Sequence, residues 1–298
     1  MRTKVRIAIV VPVGPCGDDY HDTLDSVLSY TDRSRVIVIM DDVARTGQSL
    51  ADLTDPPDLV VYRPPAGLPD NAYSGLWVKL AAAYHWLLER YEPEMVLRLD
   101  TDALLLGPGI EVLAERAFAA DPGLGLLGSY RIGPDGGQRD ISWPARQLRV
   151  LAGARGLVHP GQRSLIRHYR RLARAHGYVD GEHALGGAVI FGGAAIGAMD
   201  RYGFFASTWP DVMLGEDHIT SMLTIAAGYR IGDFGGPDDP MALKWIGLPS
   251  HPADLLAGGK LITHSVRSWQ DLDEAQIRAI FADARNRNQI EGQMADPR

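Results

Sequence analysis

Short apolar segments alternate with amphipathic ones along the first hundred residues, and this alternation restricts the fold more than any other feature. Each apolar segment is rich in Val and Ile and ends at polar residues, which is typical of a buried parallel strand. The predicted strands are Lys4–Val13, Arg35–Met40, Leu59–Tyr62 and Met95–Leu99. Apolar residues at helical spacing predict helices at Asp19–Tyr30 and Gly75–Tyr91. This alternation of strands and helices predicts an α/β fold with a doubly wound, mainly parallel sheet and helices on both faces.

The second half of the chain has a less regular pattern. Apolar periodicity predicts helices at Ile110–Ala120, Gln162–His176, Glu216–Ala227 and Leu272–Asn288. Apolar runs predict strands at Leu124–Ser129, Leu185–Phe191 and Ile262–His264. We expect a single domain with two halves, residues 1–105 and 106–288, followed by a polar tail at 289–298 that frays.

Composition excludes several classes of protein. With 298 residues, 46% of them apolar, the chain is long enough to bury a large core. Its net charge of −7 argues against a nucleic-acid partner. A lone cysteine, Cys16, permits no intramolecular disulfide, and no apolar run is long enough to span a bilayer. We therefore expect a cytoplasmic protein without a transmembrane segment, and the composition leaves a homodimer open.

Acidic residues follow two of the predicted strands at the point where each strand ends. Asp41 and Asp42 come after the second strand, and Asp100 and Asp102 come after the fourth. Ligands of such sheets bind at the carboxyl ends of the strands, so these acids are expected at the ligand edge. For Asp41 and Asp42 alone, strand-end capping is an equally good explanation.

The triplet Asp100-Thr101-Asp102 is set into an apolar segment, between MVLRL and ALLL. Neighbouring carboxylates repel each other unless a cation or a proton lies between them. Oxygen ligands at a strand end suit Mn²⁺ or Mg²⁺ shared with a substrate phosphate. Solvated loop aspartates are the alternative, but acids within an apolar run are hard to explain in that way.

Three further positions are candidates, each with an ordinary structural alternative. Lys79, on the helix before the triplet, either extends to solvent or reaches a diphosphate. Glu216 and Asp217 are either acidic first-turn residues that favour a helix N-terminus or carboxylates that take a proton from an acceptor hydroxyl. His264 is either a packed histidine or a further ligand of Mn²⁺. Trp209, shortly before Glu216 in the sequence, is a candidate for an acceptor platform.

Taken together, these segments resemble the GT-A glycosyltransferases, particularly those similar to glycosyltransferase family 2. The resemblance extends over nearly the whole chain and is carried by these segments: IAIVVPV, VIVIMDD, LRLDTDALLL, LGGAVIFGG, GEDHITSMLTIAAGYRI and ITHSVR. The D-x-D and E-D elements are each loose motifs, but their order and spacing together are fairly specific. The segment from Trp77 to Leu106 is also similar to glycogenin-like enzymes.

The resemblance implies a metal-dependent transfer of a sugar from a nucleotide-sugar, with UDP as the expected nucleotide, to a hydroxyl of a small-molecule or glycan acceptor. Residues 1–105 would hold the donor and residues 106–288 the acceptor and the catalytic groups. It implies Asp217 as the base of an inverting reaction, helped by Glu216, and Asp102, His264 and Asp100 as metal ligands. The implied donor contacts are Pro12, Val13, Asp41, Asp42, Lys79, Asp100, Thr101 and Gly187, and the acceptor contact is Trp209.

The sequence departs from the family pattern in ways that keep alternatives open. Val43-Ala44 stands in place of the usual Asp-Gly-Ser, and the Q-x-x-R-W ending of processive synthases is absent, which argues against a polysaccharide synthase. A retaining enzyme of glycogenin-like type remains the nearest alternative. A sugar-phosphate nucleotidyltransferase and a non-catalytic nucleotide-sugar-binding module are more remote.

Overall fold

The computed structural model describes residues 1–14, 20–42, 50, 56–68, 74–153, 160–206 and 213–295. The strands within these ranges are β1 (Thr3–Val13), β2 (Arg35–Asp41), β3 (Leu59–Tyr62), β4 (Tyr91–Leu99), β5 (Ala103–Leu105), β6 (Leu124–Gly128), β7 (Ala188–Gly192), β8 (Arg230–Asp233), β9 (Met241–Leu243), β10 (Ile262–His264), β11 (Ser268–Trp269) and β12 (Leu272–Asp273). The helices are α1 (Tyr20–Tyr30), α2 (Ser74–Arg90), α3 (Ile110–Ala120), α4 (Ser142–Ala152), α5 (Pro160–Ala175), α6 (Gly193–Arg201), α7 (Glu216–Ala226), α8 (Pro252–Ala257) and α9 (Glu274–Ala295).

Seven strands form the central sheet in the order β3-β2-β1-β4-β7-β6-β8. The four strands β3, β2, β1 and β4 are parallel to one another. Strand β7 runs antiparallel to both β4 and β6, and β6 pairs with β8 in parallel. Strands from the second half of the chain therefore continue the sheet that the first half begins. The prediction of a mainly parallel α/β sheet is confirmed.

Helices cover both faces of this sheet, as predicted. Alternate side chains of a strand point to opposite faces. In β1, Ala8 and Val10 join the core formed with α2, α5, α6 and α7. Ile7 and Ile9 join the second core, which contains residues of α1, α3 and the small sheet. Because both faces are buried, the strand is apolar at nearly every position, which explains the continuous Val/Ile run.

A second sheet of three strands, in the order β5-β10-β9, lies beside the end of β4. Strand β10 pairs antiparallel with β5, which places His264 opposite Ala103. Thr23 of α1 fixes the connection between β4 and β5, because its hydroxyl lies 2.9 Å from the carbonyl of Thr101 and 3.0 Å from that of Ala103. This small sheet brings the C-terminal part of the chain to the end of β4.

Several expected boundaries differ from the structure, and β4, for example, begins at Tyr91 rather than at Met95. The C-terminal helix was expected at Leu272–Asn288, but Leu272 and Asp273 form β12, and α9 begins at Glu274 and continues to Ala295. The strand expected at Leu185–Phe191 begins at Ala188, because the glycines before it form a turn with Gly187 at φ +95°. Within the described ranges, no helix combines the length and the apolarity that a membrane crossing requires.

The hydroxyl of Thr23 gives a test of how the small sheet is held. Thr23→Val keeps the side-chain shape but removes the hydroxyl donor from the carbonyls of Thr101 and Ala103, of which only Thr101 keeps a second side-chain donor among the described residues, Arg278. We therefore expect a loss of about 1–3 kcal/mol in the free energy of unfolding. Urea denaturation measures it. Thr23→Ser is the matched control, because it keeps the donor and removes only a methyl group, which costs about 0.8 kcal/mol. A valine variant as stable as the serine variant would contradict the role of the hydroxyl.

Candidate active site

Asp100, Asp102 and His264 converge at the carboxyl end of β4. Their ligand-type oxygen and nitrogen atoms all lie within 4.8 Å of one another. His264 Nε2 lies 3.2 Å from one carboxylate oxygen of Asp102. The pairing of β10 with β5 produces this convergence, since it places the last residue of β10 beside the residue that follows Asp102. The sequence hypothesis that these three residues share one site therefore agrees with their geometry.

The ring of His264 has a defined orientation. Its Nδ1 lies 2.9 Å from the backbone carbonyl of Lys244, which accepts hydrogen bonds only, so Nδ1 carries a proton and Nε2 faces the carboxylates. Metal-bound histidines use this same arrangement, with the far nitrogen donating to a carbonyl. Burial alone would lower the pKa of His264, but the hydrogen bond and charge of Asp102 outweigh it and raise the pKa.

The second oxygen of Asp102 also has partners. The hydroxyl of Ser265 donates to it at 2.9 Å and the Nε of Arg267 donates at 2.7 Å. Burial opposes ionisation of Asp102, yet His264, Arg267 and Ser265 together hold the pKa of this carboxyl well below its usual range. Asp102 is therefore an ionised carboxylate at neutral pH, as a metal ligand must be.

Arg98 connects Asp100 to Glu216, and the sequence interpretation did not single it out. Its guanidinium is almost completely buried and contacts both carboxylate oxygens of Asp100, at 2.6 and 2.7 Å. A third nitrogen donates to Glu216. Burial raises the pKa of Glu216 despite the opposing charge of Arg98. The sequence does contain a signal for Arg98, because it is a lone arginine within the apolar run MVLRL.

Gly186 and Gly187 lie between the group formed by Asp100, Asp102 and His264 and the acids of α7. A Cβ on Gly187 would lie 2.5 Å from Cγ of His264, and one on Gly186 would lie 3.0 Å from Oε1 of Glu216. The carbonyl of Gly187 also accepts a hydrogen bond from the backbone N–H of Asp100 at 2.8 Å. At Gly187, where φ is positive and the backbone approaches His264 closely, only a residue without a side chain fits. The segment LGGAVIFGG thus lies against both acidic groups.

Asp217 lies among histidines that the sequence interpretation missed. One carboxylate oxygen is 2.7 Å from Nδ1 of His218, and the other is 3.7 Å from Nε2 of His183. Burial opposes ionisation of Asp217, but His218 and His183 outweigh it and hold the pKa of the carboxyl well below its usual range. Burial lowers the pKa of His183 to about 4, so this ring is neutral and accepts a hydrogen bond from Arg139 at 2.9 Å.

The ends of β1 and β2 form the adjoining part of the same sheet edge. Pro12 and Val13 pair with Met40 and Asp41, so they lie beside the acidic strand end. Lys79 is buried rather than extended to solvent, and its Nζ lies 2.6 Å from a carboxylate oxygen of Asp42. The alternative in which Lys79 reaches solvent is therefore wrong.

Asp41 and Thr101 have local partners as well. The Asp41 carboxylate lies 3.1 Å from Nε of Arg63. The carbonyl of Thr101 accepts hydrogen bonds from Thr23 and from Arg278 of α9. Trp209 falls outside the described residues, so its place relative to the site is not part of this geometry.

No family model matches the chain, and no curated protein matches it. Several solved structures are similar in fold. A galactosyltransferase, LgtC, in complex with donor and acceptor sugar analogues is 14% identical with a TM-score of 0.46, covering 94% of this chain and 95% of that chain. An active-site mutant of LgtC is 14% identical with a TM-score of 0.48, over 93% and 94% of the two chains.

Mouse xyloside xylosyltransferase 1, in its apo form, is 10% identical with a TM-score of 0.44, covering 88% of this chain and 97% of that chain. At this level of similarity, the function has to be argued from the residues of the chain itself.

Gly187 offers a test of whether the close approach to His264 orients the ring. In Gly187→Ala, a methyl group would occupy the position of the imidazole, so we expect His264 to move and Mn²⁺ binding to weaken at least tenfold, measured by calorimetric titration. Gly177→Ala is the matched control, since its φ is +90° and nothing lies within 4 Å of the added Cβ. Both variants carry the left-handed backbone penalty of about 1–2 kcal/mol. Equal Mn²⁺ affinity in the two would contradict the proposed orientation.

Proposed function

We propose that this protein is a metal-dependent glycosyltransferase of the GT-A type, which transfers a sugar from a nucleotide-sugar, with UDP as the expected nucleotide, to an acceptor hydroxyl. The observation that carries the proposal is the meeting of Asp102 and His264 at the carboxyl end of β4, with Glu216 and Asp217 on the other side of the Gly186-Gly187 pair. A nucleotide-diphosphate site at a strand end next to a carboxylate pair fits this chemistry.

The residues present fit a divalent cation. Asp102 offers an ionised carboxylate and His264 offers Nε2, a mixed oxygen and nitrogen set that suits Mn²⁺ better than Mg²⁺. Asp100 lies within reach, but Arg98 binds both of its oxygens, so Asp102 and His264 are the better-supported ligands. When bound, the ion would act as a Lewis acid that neutralises the leaving diphosphate.

The strand ends next to the cation site are suited to the donor. Asp42 is the acidic group there that reaches solvent, with a side chain that is 21% exposed, and Lys79 holds its carboxylate in place. We propose that Asp42 contacts the nucleoside, with the buried Asp41, Pro12 and Val13 beside it. In this proposal Lys79 acts by holding Asp42, and Thr101, Asp100 and Gly187 border the donor sugar.

We propose inversion, with Asp217 as the base. The acceptor oxygen forms a bond to the anomeric carbon while the bond from that carbon to the phosphate oxygen breaks. The diphosphate leaves with the bonding electrons, and the acceptor proton passes to Asp217. His218 lies against the carboxylate, and Glu216, held by Arg98, keeps the beginning of α7 beside the donor.

One observation favours the retaining alternative. A general base works best when its pKa is near the working pH, whereas the histidines lower the pKa of Asp217. An ionised carboxylate of low basicity is suited to stabilise positive charge at the anomeric carbon or to act as a nucleophile. The anomeric configuration of the product, read from the ¹H NMR coupling of the new linkage, separates inversion from retention.

Removal of His264 tests the cation site. We expect Mn²⁺ with UDP to raise the melting temperature of the wild-type protein by several degrees, because a ligand at about 100 times its Kd adds about 2.7 kcal/mol. His264→Ala should lose most of this increase. His168→Ala, on the exposed part of α5, is the matched control and should keep it. An unchanged Mn²⁺ response in His264→Ala would exclude this residue as a ligand.

Replacement of Asp217 tests the base. Asp217→Asn keeps the shape and removes the proton acceptor, so we expect kcat to fall by about 10²–10⁴-fold with KM for the donor little changed. Asp200→Asn, at a surface carboxylate paired with His85, is the control and should behave as wild type. Near-normal turnover by Asp217→Asn would refute the assignment of the base. The affinity of the variant for UDP, measured by fluorescence, shows whether its donor site is intact.

A further inference from the structure

Positive charge is concentrated in one segment of this acidic chain. From Ile141 to Val179 there are eight arginines and no aspartate or glutamate, although the chain as a whole carries a net charge of −7. Ordinary solvated helices mix both signs, and like charges at i, i+4 spacing destabilise a helix. Helices α4 and α5 form most of this segment and pack against each other.

The arginines of α5 fall into two groups with different partners. Arg170 and Arg174 both bind the carboxylate of Asp180, which neutralises one of their two positive charges. Arg163, Arg167 and Arg171 follow one another at i, i+4 spacing, and within the described residues none of these three forms an ion pair with a carboxylate. We call these three residues the arginine stripe.

The arginine stripe borders an open groove of about 340 Å³. Ser164 and His168 line the same groove, so polar donors surround it. The Nε atoms of Arg163 and Arg167 lie 3.4 and 2.9 Å from the carbonyl of Ala152, the last residue of α4. These bonds fix the stems of the two side chains at the junction of the helices and leave the Nη groups for an anionic ligand.

Helix α4, which packs against α5, carries exposed apolar side chains. Trp143 is 56% exposed and Val150 is 38% exposed. Arg146 and Arg149 lie on the exposed part of the same helix. An exposed tryptophan among arginines is typical of a surface at the headgroup level of a bilayer, where the ring and the cations each find a suitable environment.

We propose that the exposed surface of α4 and α5, centred on the arginine stripe, binds the headgroups of an anionic lipid bilayer. Arginine guanidinium groups bind phosphate in a bidentate manner, and a negatively charged leaflet attracts clustered cations. Trp143 and Val150 favour a bilayer over a nucleic acid, because a phosphate backbone offers no environment for an aliphatic side chain. The proposal does not depend on glycosyl transfer, so the two can fail separately.

The test is co-flotation of the full chain with phosphatidylcholine vesicles that contain phosphatidylglycerol, compared with phosphatidylcholine vesicles alone. We expect binding to the anionic vesicles only, and we expect it to disappear near 1 M salt, where the Debye length is about 3 Å. The variant R163Q/R167Q/R171Q should lose about 100-fold in partition coefficient, from about 1 kcal/mol for each cation near the surface. Trp143→Ala, made on its own, should also weaken binding to the anionic vesicles.

The variant R2Q/R33Q/R116Q is the matched control. It removes the same charge at exposed positions outside α4 and α5, so it should bind anionic vesicles nearly as the wild type does. Equal loss in both triple variants, or equal binding to neutral vesicles, would overturn the proposal. So would binding to a single-stranded oligonucleotide without binding to vesicles. Thermal melting of each variant shows that the chain is folded.

Discussion

The guanidinium of Arg98 is the interaction on which the site depends. It lies in the last part of β4, 3% exposed, and it binds Asp100 on one side and Glu216 on the other. Two carboxylates this close would repel each other in a buried setting, and a cation between them removes the repulsion. Because Glu216 begins α7 and Asp100 follows β4, Arg98 also fixes the start of that helix relative to the central sheet.

The other acids of the site are balanced in the same local way. Asp102 has Arg267 and His264, Asp42 has Lys79, and Asp217 lies 2.7 Å from Nδ1 of His218. These partners differ in how firmly they are held. The side chain of Arg267 is 67% exposed, whereas those of Arg98 and Lys79 are below 10%. A ligand that approaches Asp102 would therefore displace Arg267 more easily than a ligand of Asp100 would displace Arg98.

The sequence predicts the parallel part of the sheet well, because strands buried on both faces must be apolar at nearly every position, as in β1 and β2. The small sheet is predicted only in part. The strand expected at Ile262–His264 is confirmed as β10, whereas β5 and β9, with three residues each and no period, were not predicted. Asp100 and Asp102 were identified because they interrupt an apolar run. Arg98 and His183 were not, because each also needs a partner that is distant in sequence, Glu216 for Arg98 and Arg139 for His183.

The charge at this edge of the sheet also bears on which ligand the edge accepts. Asp41, Asp42, Asp100, Asp102, Glu216 and Asp217 lie along it, whereas the arginine and lysine groups paired with them are Arg63, Lys79, Arg98 and Arg267. Six carboxyl groups thus lie beside four arginine and lysine groups among these described residues. An anionic diphosphate would be repelled by such an edge unless a cation came with it. A divalent ion between Asp102 and His264 would offset the excess where the diphosphate is expected, which is why we infer that nucleotide and metal bind together.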